Sequence, residues 1–481
     1  MKSFYKIILI IVFTLNIVCF AQGFGSSNSS DARTISLAGA NTVFTSGVYT
    51  LGNNPANLTS SFSNNFIELS TVFPLPSVNL NLGNDFITLD DYRYFFTGVR
   101  GNNGEVSGRH LSTADKEKFM DLFQNGSMVN TNLGINLFSV SLYPSKIIGA
   151  FGFAVQDFTS AKFELPQQLI ELFLYGNTAG RKFNLNNFDA EAWYVRNYAL
   201  TYSKDLSNIF QDAFNFVSVG VSLKMVHGFF YAGVDKMNTT LETESDFDIV
   251  VNGDSRMLMS SSPSFGIVHD FEKNVKREVN IGAFNKPAGK GFGADFGFYT
   301  ELTKAWAIAF AVTDIGSIKW NKGTVEYVAT GSYTIEDITD ETLVDSLTDA
   351  ISGEGRATSA FTTVLPTAMK LGVGLKVHEL ATPAFPGKLY IEANYHQGFN
   401  DVALNNMEPK FSISAEWIPM GWLKVRTGLS KGGIDKFNWA AGVGLNIGLV
   451  ELDFAAAFAD SLINGNKAKR VGFALSSRWI F

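Results

Sequence analysis

The chain has 481 residues, 46% hydrophobic but only 17% charged, with 43 Phe and 44 Gly. Such aromatic content excludes a disordered chain, and no run beyond residue 21 reaches the ~18–20 apolar residues of a spanning helix. With 38 basic against 45 acidic residues and no basic stripe, a nucleic-acid partner is excluded as well, which leaves a β protein suited to lipid.

Residues 1–21 read as a secretory signal. Lys2 and Lys6 form its positive start, Ile7 to Val18 its apolar run, and Cys19-Phe20-Ala21 its cleavage site. Cys19 is the single cysteine, so cleavage after Ala21 leaves no thiol chemistry. Loss of the two lysines lowers the basic count from 38 to 36 against 45 acidic, a charge near −9.

The next segment, 22–61, is rich in small residues and lacks strand alternation. Asp31 to Ala40 leads to Leu51-Gly-Asn-Asn-Pro-Ala-Asn-Leu58, whose two leucines offer apolar anchors. Pro55 fixes its own φ and removes a donor, and Asn53 or Asn54 is placed to cap the turn.

From residue 62 to 481, segments of about ten residues alternate with period 2, as a transmembrane strand requires. The spacing predicts strands at 62–80, 131–143, 147–157, 193–203, 214–226, 290–301, 304–317, 367–378, 387–396, 410–418, 421–430, 437–449, 451–459 and 469–481. Tight turns alternate with long loops at about 81–130, 158–192, 227–289 and 317–366, an up-and-down walk whose tight turns are periplasmic. Fourteen is even, as a closed bacterial barrel needs. The weak first segment and the 227–289 stretch leave 12 or 16 open. The expected fold is therefore all-β, a transmembrane antiparallel barrel of about 14 strands with short helices in long extracellular loops.

The outer loops carry candidate helices. Ser112-Thr-Ala-Asp115 starts one, with Phe119, Leu122 and Phe123 as its apolar stripe. Pro166 opens another over Gln167–Tyr175, too apolar to stand free in water. A third spans Asp340 to Ile351. The lumen cations Lys370, Lys376, Lys424, Arg426 and Arg478 face Asp295, Glu392, Glu416, Glu451 and Asp453 as an ion-pair lattice, and Arg33 is expected to pair with Glu392, Glu416, Glu451 or Asp453. The five histidines have no metal-ligand spacing. His396 and Asn394 beside Ser412 and Ser414 would form a hydrolase set only if they faced lipid, and the alternation turns them to the lumen. No enzyme, metal or cofactor is expected.

Two motifs carry a resemblance. Ala32-Arg33, Leu37-Ala38-Gly39-Ala40 and then Asn54-Pro55-Ala56 resemble the N-terminal hatch of the long-chain fatty-acid transporter (FadL-like) family, with Ala38 where that family has a second Gly. The apolar stripe ending in Phe481 resembles the last strand by which Gram-negative barrels are recognised by the barrel assembly machinery. Gly291-Phe-Gly-Ala-Asp295 and Thr313 to Trp320 are similar to an uncharacterised Bacteroidetes-type branch of such barrels (DUF5723-like), related to accessory barrels of a secretion system. The resemblance implies fourteen strands, a hatch folded into the lumen, and an outer-membrane location.

It further implies passive uptake of hydrophobic small molecules, long-chain fatty acids or similar amphiphiles. Phe119, Phe123, Leu169, Leu172 and Phe173 would capture the ligand; Lys424 or Arg426 would meet its carboxylate; Arg33, Gly39, Asn54, Pro55 and Ala56 would shape the gate. The alternative is a non-transporting scaffold or shuttle barrel with a secretion-system or surface protein as partner.

Overall fold

The computed structural model describes residues 31–60, 65–100, 105–176, 179–210, 213–244, 248–265, 267, 285–335, 353–380, 385–402 and 405–481. The signal at 1–21 and the expected helix at 340–351 lie outside them.

Fourteen antiparallel strands pair in chain order, and the last closes on the first. They are β1 (Ile67–Thr71 and Ser77–Asn84), β2 (Met128–Ser145), β3 (Gly149–Glu164), β4 (Asp189–Asp205), β5 (Phe216–Met237), β6 (Gly289–Glu301) and β7 (Trp306–Trp320). The second half comprises β8 (Ala368–Lys376), β9 (Lys388–Gly398), β10 (Lys410–Met420), β11 (Leu423–Gly432), β12 (Phe437–Ile447), β13 (Val450–Ala457) and β14 (Arg470–Ile480). Closure runs through Leu69 opposite Trp479 and Val78 opposite Leu475, which leaves no free edge.

The pleat sorts the side chains. On β5, Leu223 is 63% exposed while Lys224 is 3%, and every wall strand repeats this with apolar groups outward. The barrel is a transmembrane one, and no helix of the described residues is long and apolar enough to cross a membrane.

Two differences from the strand reading have local causes. First, β1 is one strand in two pieces. Pro74 and Pro76 have no N–H to give a ladder, so Val72–Pro76 bows out of the wall. Its carbonyls find other donors: Trp479 Nε1 to Phe73 O at 3.2 Å and Ser477 Oγ to Leu75 O at 2.6 Å. Second, much of the supposed loop sequence is sheet. β5 is 22 residues long, about twice the ~9–11 needed to span, and its upper half pairs with Ile249–Ser261, which pairs with Thr324–Ile335. Above the membrane both faces of these strands meet protein or water, so the alternation that betrays a spanning strand fades.

Among the described residues, helices at the loop end include α2 (Leu89–Phe96), α3 (Thr113–Asp121) and α4 (Gln167–Tyr175). α3 has the expected capping box between Ser112 and Asp115. α2 was not foreseen, although Thr88 and Asp91 form the same box.

Candidate functional site

Residues 31–60 lie inside the barrel and are buried almost throughout. The helix α1 (Ala32–Ser36) starts at Asp31, whose carboxylate accepts from Thr34 N at 2.7 Å. Beyond it the chain makes only short turns, so its backbone donors need the wall. Glu392 accepts from Val43 N at 2.8 Å and Phe44 N at 3.0 Å, and Glu68 accepts from Val48 N at 3.1 Å. Asn54 caps the turn Pro55–Thr59 through Ala56 N at 3.1 Å. Ala56 O in turn accepts from Ser203 and Ser218 of the wall, each at 2.9 Å. Leu51 and Leu58 anchor on Ala150, Ala154 and Ala199.

The wall lets the hatch this close because its inward positions there are glycines. A Cβ on Gly220 would fall on the hatch backbone at Pro55–Ala56, and one on Gly428 on the backbone at Leu37–Ala38. Ala38, standing where the resembled family has glycine, has φ +51. An L side chain is strained there, so Ala38→Gly should hold or raise barrel stability by up to about 1 kcal/mol. The urea midpoint of the folded gel band checks it. A clear loss would show that the methyl is needed for packing.

Arg33 pairs with Glu416 through Nε at 3.0 Å, one of the four carboxylates expected. Lys424 and Arg426 sit lower in the same lattice. Arg426, fully buried, gives Nε to Glu416 at 2.5 Å, Nη1 to Asp453 at 2.5 Å and Nη2 to Glu451 at 3.4 Å. Lys424 holds Glu451 at 2.5 Å, and Arg478 joins Glu451 to Glu68. These cations, expected to meet a ligand carboxylate, are thus engaged by the protein's own. Beneath the hatch a cavity of about 440 Å³, lined by Arg33, Phe44, Tyr390 and Glu416 among others, opens at the turn end.

The expected capture residues do not form one groove. Phe119 and Phe123 pack with Phe95, Ile170 and Leu174, whereas Leu169, Leu172 and Phe173 pack with Phe183, Leu241 and Ile249. Helix α4 keeps Gln167, Gln168 and Glu171 for polar contacts and sets its apolar residues as a wedge between two cores. Of the hydrolase-like set, the register puts Asn394 opposite Ser412 but His396 opposite Lys410, and Ser414 bonds Ala40 O of the hatch at 2.8 Å.

An apolar group inside the loop-end half of the lumen was not legible. Phe158, Trp193, Val195, Val226, Ile318, Trp320 and Leu365 pack together there, each no more than 3% exposed. The wall that continues from Leu365 is polar, with Lys370, His396 and Lys410 side by side on β8, β9 and β10. An apolar stretch of the lumen lining is thus followed round the wall by a basic one.

The model of a family of unknown function (DUF5723) matches residues 64–457. The chain belongs to that family. No curated protein matches this DUF5723 chain. Solved structures similar to it include the Pseudomonas putida toluene transporter TodX, 10% identical over 96% of this chain and 99% of that one, with TM-score 0.43. A Pseudomonas aeruginosa FadL homologue is 10% identical over 96% and 100%, with TM-score 0.48. The CymD monoaromatic hydrocarbon channel is 10% identical over 95% and 98%, with TM-score 0.35.

Proposed function

We propose that this DUF5723 barrel sits in the outer membrane, turn end to the periplasm, and passes hydrophobic small molecules such as long-chain fatty acids or similar amphiphiles. The observation that carries the reading is the apolar group around Trp193, Ile318 and Trp320 inside the lumen. A water-filled pore has a polar interior, whereas this lining favours an alkyl chain by ~0.8 kcal/mol per buried CH₂. Passage is passive: the ligand parts these side chains, rests on the hatch and leaves as the hatch shifts. No enzymatic step is proposed.

Uptake of a radiolabelled long-chain fatty acid by cells lacking their own uptake barrel tests this. The wild-type chain should restore uptake, and Leu365→Asp, which puts a charge into the apolar group from a segment between strands, should cut it about tenfold or more. Equal uptake by Leu365→Asp, with both proteins folded on a heat-shift gel, would overturn the reading. The ion-paired, fully seated hatch also suits the scaffold alternative. No uptake by the wild type, together with one protein cross-linked in intact cells, would move the assignment there.

A further inference from the structure

Nine Lys and Arg residues are buried among the described residues: Arg33, Arg196, Lys224, Lys370, Lys376, Lys410, Arg426, Arg470 and Arg478. Eight have a carboxylate within ion-pair distance. Lys370 is the exception. Its Nζ, on a residue only 6% exposed, bonds the neutral amide of Asn53 on the hatch at 3.1 Å. Asp295, Asp314 and Asp31 act on it from farther off; the first two are held by Lys224, each at 2.7 Å, and Asp31 caps helix α1. A buried ammonium facing only an amide costs free energy that a counter-anion would recover.

The neighbouring strand adds a second group without a complement. The register sets His396 directly between Lys370 and Lys410. Asn405 faces the ring, yet Nε2 is buried and makes no hydrogen bond of normal geometry. Lys410 reaches Asp435 at 2.8 Å and also lies over Gly39 of the hatch. Three basic side chains therefore line up on β8, β9 and β10 beside the hatch, on the strands that follow Trp320 and Leu365 of the apolar group.

The geometry points to this row as the seat of an anionic head group, a carboxylate held chiefly by Lys370 with His396 Nε2 as second donor when that nitrogen carries its proton. Resting on the hydrophobic-passage reading above, the proposal adds that the substrate is a monoanionic amphiphile, its chain on the Trp193–Trp320 side. Because Lys370 otherwise holds Asn53, an arriving carboxylate takes over a bond that seats the hatch.

Equilibrium binding of dodecanoate and dodecanol to the full-length barrel in detergent tests it. The wild type should bind the acid about tenfold or more tighter than the alcohol, the size of a charge-assisted hydrogen bond. Lys370→Met should erase that preference and leave dodecanol binding unchanged, while Lys370→Arg should keep it. Chloride at high concentration should compete with the acid only, and at a free-anion site it would bind equally well with no chain present. Equal binding of acid and alcohol by the wild type, a preference that survives Lys370→Met, or tight chloride binding unaffected by dodecanoate would overturn the head-group seat while the passage reading stands. Failure of both amphiphiles to bind would overturn the passage reading beneath it.

Discussion

Arg426→Met should destabilise the folded barrel by about 3–5 kcal/mol, the cost of stripping one partner from a buried ion network. The side chain is the hub of its lattice: fully buried, it joins Glu416 on β10, its own strand β11, and Glu451 and Asp453 on β13. The losses are unequal. Glu416 keeps Arg33, and Glu451 keeps Lys424 and Arg478. Among the described residues, Asp453 keeps the Tyr49 hydroxyl of the hatch, at 2.6 Å, as its one remaining side-chain donor. Most of the penalty should therefore fall on Asp453, so Arg426→Met with Asp453→Asn should recover a large part of it. Urea titration of the folded gel band measures both. If the double variant is no more stable than the single one, the network does not couple these residues.

Gly220→Leu should drive the hatch from its seat while leaving the wall closed. The new side chain would occupy the space of the Pro55–Ala56 backbone, which cannot turn aside as a side chain could. The hatch would also lose the two serine bonds to Ala56 O. Cys19 is the sole native cysteine, so Ala40→Cys, at a position with no exposure, reports hatch seating by maleimide labelling. Labelling should be slow in the otherwise wild-type barrel and at least about tenfold faster with Gly220→Leu, since protection falls with the free energy of local opening. Gly421→Leu is the control, because a Cβ there meets nothing within 4 Å. Unchanged protection in Gly220→Leu would show that the hatch is held without this close contact.

The hatch was readable because its motif residues do local work. Asn54 and Pro55 build their own turn, and Arg33 needed only to choose among four lumen carboxylates. The capture helix was readable as a helix but not in its surroundings. Nine apolar-rich residues announce burial on more than one side without naming what buries them, and the two cores beside α4 draw on segments on either side of it in sequence, from Phe86 to Val251.

By itself the sequence determined the up-and-down order of the strands, a number near fourteen and which face of most of them meets lipid, because a period of two in a spanning strand is imposed by the membrane on each segment separately. What only the tertiary structure decided is where that period slips. On β7, Ala307, Ala309, Ala311 and Thr313 point inward. Strict alternation would then send Ile318 and Trp320 out to lipid. Asp314, at φ +59, absorbs one residue where the register with β6 shifts between Ala294 and Phe296. A bulge of one residue reverses the facing of all that follows, so Ile318 and Trp320 turn inward as the heart of the apolar lumen. Asp314 can hold that backbone because Lys224 and its own N–H, given to Asp295 at 2.8 Å, tie it across the strands. Those partners lie 90 and 19 residues away along the chain, and only the pairing of β5, β6 and β7 brings them together.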